Sequence, residues 1–185
     1  MSTDLLIHTA DELFEMPDDG FRYELVQGVL RKMSPAGGEH GEIASILNGH
    51  LMLHVRQNRL GKTYAAETGF QISSNPDTVL APDVAFVVRD RVQSIRDRRK
   101  FVPFAPDLAI EILSPGDRDR ESLQKAADWL AGGARAVILV NPRTKSVRVC
   151  RPQDQVTVLS GTDMLEVPDI VPGWSISVAE IFESL

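Results

Sequence analysis

The chain has 185 residues, 43% of them hydrophobic and 25% charged, with a net charge of −6 and one cysteine. A chain of this length hides roughly 70% of the surface its unfolded form exposes, so a core can form without staples. The lone Cys150 excludes an intrachain disulfide framework, and the acidic balance excludes a protein that coats nucleic acid by bulk electrostatics. No apolar run approaches the roughly 20 residues of a membrane span. The acidic start, MSTDLLIHTADELFEM, lacks the basic flank and small-residue cleavage site of a signal peptide. The expectation is a soluble cytoplasmic protein with no membrane contact, folded as one domain over residues 1–185.

Thr9 followed three residues later by Glu12 has capping-box spacing and predicts a short helix ending before Pro17. RYELVQGVLRKM, 22–33, alternates in period two around Gln27-Gly28 and predicts a hairpin. Ser34 to Gly38 reads as a loop. Residues 40–59 repeat Ile43, Ile46, Leu47, His50, Leu51 and His54 at helical spacing, and Gly61 stops the helix. Two strands are expected next, Thr63–Ile72 and Leu80–Val88, joined by the turn Ser73–Asp77. A charged connection leads to a strand over 107–113. A helix over 119–131 follows, capped by Asp117 or Asp119 and stopped by Gly132-Gly133. RAVILV, 135–140, reads as a buried strand, with 145–151 pairing beside it and a short helix at the tail. The order is that of an α/β (α+β) domain: a mixed central sheet flanked by helices, with an N-terminal helix and β-hairpin. The segment from 107 to 140 predicts a right-handed βαβ crossover.

The strand LAIEIL, 108–113, is apolar enough to be buried on both faces, yet it carries Glu111. A buried carboxylate needs a metal, a cation or hydrogen bonds to offset its desolvation. Period-two alternation places Asp107, Ala109, Glu111 and Leu113 on one face. In PDVAF, 82–86, Asp83 shares a face with Ala85, so neighbouring strands would bring Asp83 and Glu111 together. Two converging carboxylates repel unless a cation lies between them, and Mg²⁺ prefers such oxygen ligands. Alternatively, Glu111 pairs with Arg135 and Asp83 merely opens its strand.

At this point the sequence resembles the PD-(D/E)xK nuclease superfamily, and within it the restriction-endonuclease-like Uma-type endonuclease family of bacteria. The resemblance rests on RYELVQG at 22–28, SP at 34–35 followed by His40, APDVAFV at 81–87, PDLAIEILSP at 106–115, QKAADWLAGGAR at 124–135 and VPGW at 171–174. It implies a nuclease in which Asp83, Glu111 and the backbone carbonyl of Ile112 hold Mg²⁺, with Mn²⁺ as a substitute, and in which Glu24 reaches the same metal. The superfamily's lysine would stand two residues after the glutamate, but Leu113 stands there. The resemblance implies that Lys125, on the following helix, takes that role. Helix geometry supports this only in part, because a stripe of Leu123, Ala126, Ala127 and Leu130 would turn Lys125 aside unless Trp129 widens the buried face. A solvated lysine is the alternative.

His40 matches a family histidine and would touch substrate near a helix N-terminus; a capping or core histidine is the alternative. His50 and His54 lie at i, i+4 without a third zinc ligand and read as packing residues. RDRVQSIRDRRK, 89–100, carries six basic and two acidic residues. Its position after the Asp83 strand makes Arg96, Arg98, Arg99 and Lys100 candidate phosphate contacts, with Arg118 and Arg120 adding to them. A solvated charged loop is the alternative.

Three functions follow in order. The first is a Mg²⁺-dependent endonuclease acting on nucleic acid, DNA in the first instance, with a homodimer suited to cutting two strands. The second is a non-catalytic member of the same fold that binds nucleic acid or protein. The third, a two-carboxylate glycosidase, ranks last because few aromatic residues lie near the acidic positions.

Overall fold

A computed structural model of the chain describes residues 8–183. The acidic first seven residues, part of the reading of the N-terminus, lie outside them. The described elements are α1 (Ala10–Glu15), β1 (Arg22–Val26), β2 (Val29–Met33), α2 (Gly38–Gln57), β3 (Gly61–Ala65), β4 (Phe70–Ser73), β5 (Thr78–Leu80) and β6 (Val84–Val88). They continue with α3 (Arg89–Ser94), β7 (Leu108–Ile112), α4 (Asp119–Ala131), β8 (Ala136–Asn141), β9 (Ser146–Arg151), β10 (Gln155–Ser160), β11 (Met164–Glu166), β12 (Ser175–Ser177) and α5 (Val178–Ile181).

The local signals hold where they depend on a few adjacent residues. Thr9 and Glu12 form the capping box of α1. The β1–β2 hairpin turns at Gln27 and Gly28, both with positive φ, as a two-residue primed turn requires. Helix α4 spans the expected residues, but its cap differs. Arg118 occupies the N-cap without a side-chain bond, while Asp117 accepts a hydrogen bond from the Ser114 amide. The charged connection is not all loop, since its first six residues form α3.

The largest departure concerns the two long strands. Each is broken, and its halves belong to different sheets. β3 and β6 lie in a six-stranded sheet of order β10-β9-β8-β7-β6-β3, whereas β4 and β5 lie in a four-stranded sheet of order β2-β1-β5-β4. β11 and β12 pair separately. The first break falls at 66–69. There Glu67 has positive φ, and Gly69 lies so close to the Phe101 ring that a Cβ would stand 2.4 Å from it. The second falls at Ala81-Pro82-Asp83, where proline offers no N–H to a ladder. Only β7 and β8 pair in parallel in the large sheet, joined by α4 as a βαβ unit.

Strand alternation divides the core. Val84, Phe86, Leu108, Ile110 and Ile112 pack with Leu47 and Leu51 of α2 and with Trp174. Ala85, Ala109, Val137 and Leu139 pack on the opposite face with Ala126 and Trp129 of α4. His50 accepts from the Trp174 indole at 3.0 Å and His54 lies 2.9 Å from the Pro172 carbonyl oxygen, so both histidines tie the tail to α2.

Candidate active site

β6 and β7 are antiparallel neighbours, with Val84 opposite Ile110. Continuing that register sets Asp83 opposite Glu111. The carboxylate of Asp83 caps the end of the pair, accepting a 2.7 Å hydrogen bond from the Ile112 amide. Glu24 arrives from the other sheet. Leu25 pairs with Val79, and the break at Ala81 brings the chain beneath Glu24, whose Oε1 accepts from the Ala81 amide at 3.0 Å. The site therefore lies where the chain crosses between the two sheets.

Lys125 is the group that joins them. Its Nζ stands 3.0 Å from Glu111 Oε2 and 3.0 Å from Glu24 Oε1. Trp129, one helical turn on, donates its indole N–H to Glu111 Oε1 at 2.8 Å. One α4 face thus engages both oxygens of Glu111, as i, i+4 neighbours can. The expected stripe is corrected accordingly. Ala126 and Trp129 are buried while Leu123 and Ala127 are exposed, which rotates Lys125 toward the sheet. Trp129 was legible as an apolar neighbour but not as a hydrogen-bond donor, a role that only its distance to Glu111 reveals. Glu111 does not pair with Arg135, which bonds to Asp169 instead.

Glu24 and Glu111 are 5% and 9% exposed, which makes the charge balance costly. Burial raises the Glu111 pKa to about 7, Lys125 opposes that rise, and the charges on Asp83 and Glu24 add to it. Burial alone would lower the Lys125 pKa, but its two carboxylate partners override it and hold the lysine above its ordinary value. Two carboxylates, Glu24 and Glu111, face the one lysine, and Asp83 lies near enough to Glu111 to add to its rise. His40, in the first turn of α2, places Nε2 2.9 Å from Asp83 Oδ1. That contact raises its pKa against the opposing effect of burial. His40 thus braces Asp83, and its Nδ1 is buried without a partner among the described residues.

A third buried carboxylate, Asp107, lies at the far end of β7. It accepts from the Val88 amide and pairs with Arg91 at 3.1 Å, a closed arrangement unlike the open one at Glu111. Among the described residues no three His, Cys, Asp or Glu side chains gather as a metal-binding group. Lys125 stands between Glu24 and Glu111, leaving Asp83 and Glu111 as the carboxylate pair.

These residues floor a cleft of about 1450 Å³. Its walls carry Arg22, Arg31 and Lys32 from the hairpin and Arg118 and Arg120 from the start of α4, interspersed with Asp18, Glu67, Asp117, Glu121 and Asp128. The structure does not bring the basic run 96–100 to this cleft. Arg96 and Lys100 line a separate recess of about 380 Å³, Lys100 pairs with Asp11, and Arg99 pairs with Asp97. Arg98 lines neither hollow. No helix among the described residues is long and apolar enough to cross a membrane.

A family model described as "Putative restriction endonuclease" (Uma2) matches residues 10–179. A crystal structure described as that of "a putative nuclease belonging to DUF820" from Anabaena variabilis ATCC 29413 is similar, with a TM-score of 0.80. It is 23% identical, with 94% of this chain and 97% of that chain covered, a likeness that bears on the fold. No curated protein matches this chain.

Proposed function

The chain belongs to the Uma2 family of restriction-endonuclease-like proteins, and from that premise we propose that it is a metal-dependent endonuclease hydrolysing phosphodiester bonds in DNA. Family membership supports nuclease function in general. The observation that carries the finer reading is the meeting of Asp83, Glu111, Glu24 and Lys125 on the floor of one cleft whose walls include five Arg or Lys side chains. The cleft exceeds the roughly 300–1,000 Å³ of small-molecule sites, in keeping with a polymeric substrate.

Asp83 and Glu111 supply hard carboxylate oxygens of the kind a divalent cation takes, a pair rather than a three-ligand group. Asp83, Glu111 and the Ile112 carbonyl would hold it, and Glu24 would join them once Lys125 leaves its carboxylate. When bound, Mg²⁺ or Mn²⁺ supplies a Lewis acid for the phosphate and a water of lowered pKa. Lys125 then has the charge and reach to stabilise an anionic oxygen. His40 keeps Asp83 oriented, and Trp129 fixes Glu111.

Nicking of supercoiled plasmid with Mg²⁺ or Mn²⁺ tests this. Wild type should cut, and Asp83→Asn and Glu111→Gln should abolish cutting. Equal cutting by all three would assign the activity to a contaminant and defeat the proposal. One observation favours a second reading, a non-catalytic nucleic-acid- or protein-binding member of the fold. Lys125 already compensates Glu111 and Glu24 without a metal, and Leu113 holds the usual lysine position. Absence of both cutting and calorimetric Mn²⁺ binding would establish that reading instead.

A further inference from the structure

Four hairpin features lie along the edge of the cleft. First, β2 is the outer strand of its sheet, with no neighbour beyond it among the described residues. Second, Arg31 is opposite Glu24 in the hairpin register, so it shares the face that carries Glu24 to Lys125. Arg31 itself is exposed and forms no ion pair with the described residues, whereas Arg22 is paired with Glu67 at 2.5 Å. Third, Phe21 is 51% exposed and Met33 is 37% exposed, and both line the cleft. Fourth, the Lys32 ammonium sits 2.8 Å from the Phe21 ring centroid.

The main chain at Phe21 is tied down. Its amide donates to Asp19 Oδ1 at 3.0 Å, and the other Asp19 oxygen accepts from the Tyr23 hydroxyl at 2.8 Å. Gly20, at φ 81°, supplies the left-handed turn that this Asp19 loop uses. The Asp19 loop thus holds the backbone that presents a large ring at the rim, with a cation over one face and half of the residue's surface open.

Lysine on an edge strand often serves only to block pairing with another sheet. That account needs neither an exposed phenyl ring nor a cation on it. An aromatic face beside unpaired cations is the combination that binds single-stranded nucleic acid, where bases stack and phosphates meet Lys or Arg.

We propose that Phe21 and Lys32 form a contact site for an unpaired nucleotide, its base stacked on Phe21 and its phosphate on Lys32, with Arg31, on the opposite strand face beside Glu24, meeting the strand where it continues into the cleft. This deepens the nuclease reading and rests on it: the preferred nucleic acid is single-stranded, or carries an unpaired stretch beside the scissile bond. It also moves substrate contact from residues 96–100 to the hairpin.

The test is fluorescence anisotropy with a labelled single-stranded 20-mer and its duplex, in EDTA, so that binding is read without cleavage. Wild type should bind the single strand more tightly than the duplex. Phe21→Ala should weaken single-strand binding by at least about fivefold, the low end for one base–aromatic stack, and Phe21→Trp should retain it. Arg31→Ala and Lys32→Ala should each flatten the slope of log affinity against log salt by about 0.7. Tighter duplex binding, a Phe21→Ala affinity within twofold of wild type, or no binding by wild type would overturn the inference. Plasmid nicking judges the nuclease reading separately, so the two can fail independently.

Discussion

Replacing Lys125 with methionine removes the cation between two buried carboxylates and keeps most of the side-chain volume. Breaking a buried ion pair by deleting one partner typically costs about 3–5 kcal/mol, a large share of the roughly 5–15 kcal/mol that stabilises a folded domain. Here the loss should depend on pH. Glu111 titrates near pH 7 in the folded chain, above its ordinary value of 4.5, because burial disfavours its charge. A carboxyl group with a raised folded pKa contributes stability in its protonated form, and that contribution fades as pH rises from 4.5 through 7. Without Lys125 the Glu111 pKa rises further, so at pH 8 the variant must hold an uncompensated carboxylate or take up a proton that wild type does not, and it bears the full loss. At pH 5 Glu111 is protonated and the loss should be smaller by about 1–2 kcal/mol, the scale of one unsatisfied buried polar group. Urea unfolding at both pH values, followed by circular dichroism, measures this. Adding Glu111→Gln to Lys125→Met should recover at least half of the loss at pH 8. A loss below about 1 kcal/mol at pH 8, or one equal at both pH values, would refute the account of a lysine neutralising two buried charges.

Three further outcomes are expected. Glu111→Gln alone should flatten the decline of stability between pH 4.5 and 7, by up to about 3 kcal/mol from the shift to about 7, since one pKa unit corresponds to about 1.4 kcal/mol; thermal melts across that range check it. Replacing Arg96, Arg98, Arg99 and Lys100 together by alanine should leave plasmid nicking within about twofold of wild type, because Arg96 and Lys100 line the other recess and none of the four lines the cleft. Gly61→Ala should destabilise by about 2–3 kcal/mol in urea unfolding, because its Cβ would lie 2.0 Å from the Val87 carbonyl oxygen, a backbone atom with little room to yield.

Much of the candidate site was legible because it is written into single strands. Glu111 stands out as a charge within an apolar run, and alternation alone assigns it to the face of Ala109. Asp83 sits opposite it because β6 and β7 are neighbours with a fixed register. Lys125 could be named only through the family resemblance, because the apolar pattern of α4 pointed to the wrong face. Leu123 and Ala127, counted as core, are exposed.

Capping box, hairpin turn and helix ends follow from the sequence alone, since each depends on φ preferences and hydrogen bonds among residues a few positions apart. The splitting of two strands between two sheets does not. Thr63–Ile72 and Leu80–Val88 are each apolar enough to continue as one strand, and only the contact of Gly69 with Phe101 and the crossing at Ala81–Asp83 divide them. That division carries Glu24 to Lys125 and leaves residues 96–100 outside the cleft. Charge content alone could not say which cations line the cleft, because side chains distant in the chain become neighbours only when the sheets pack.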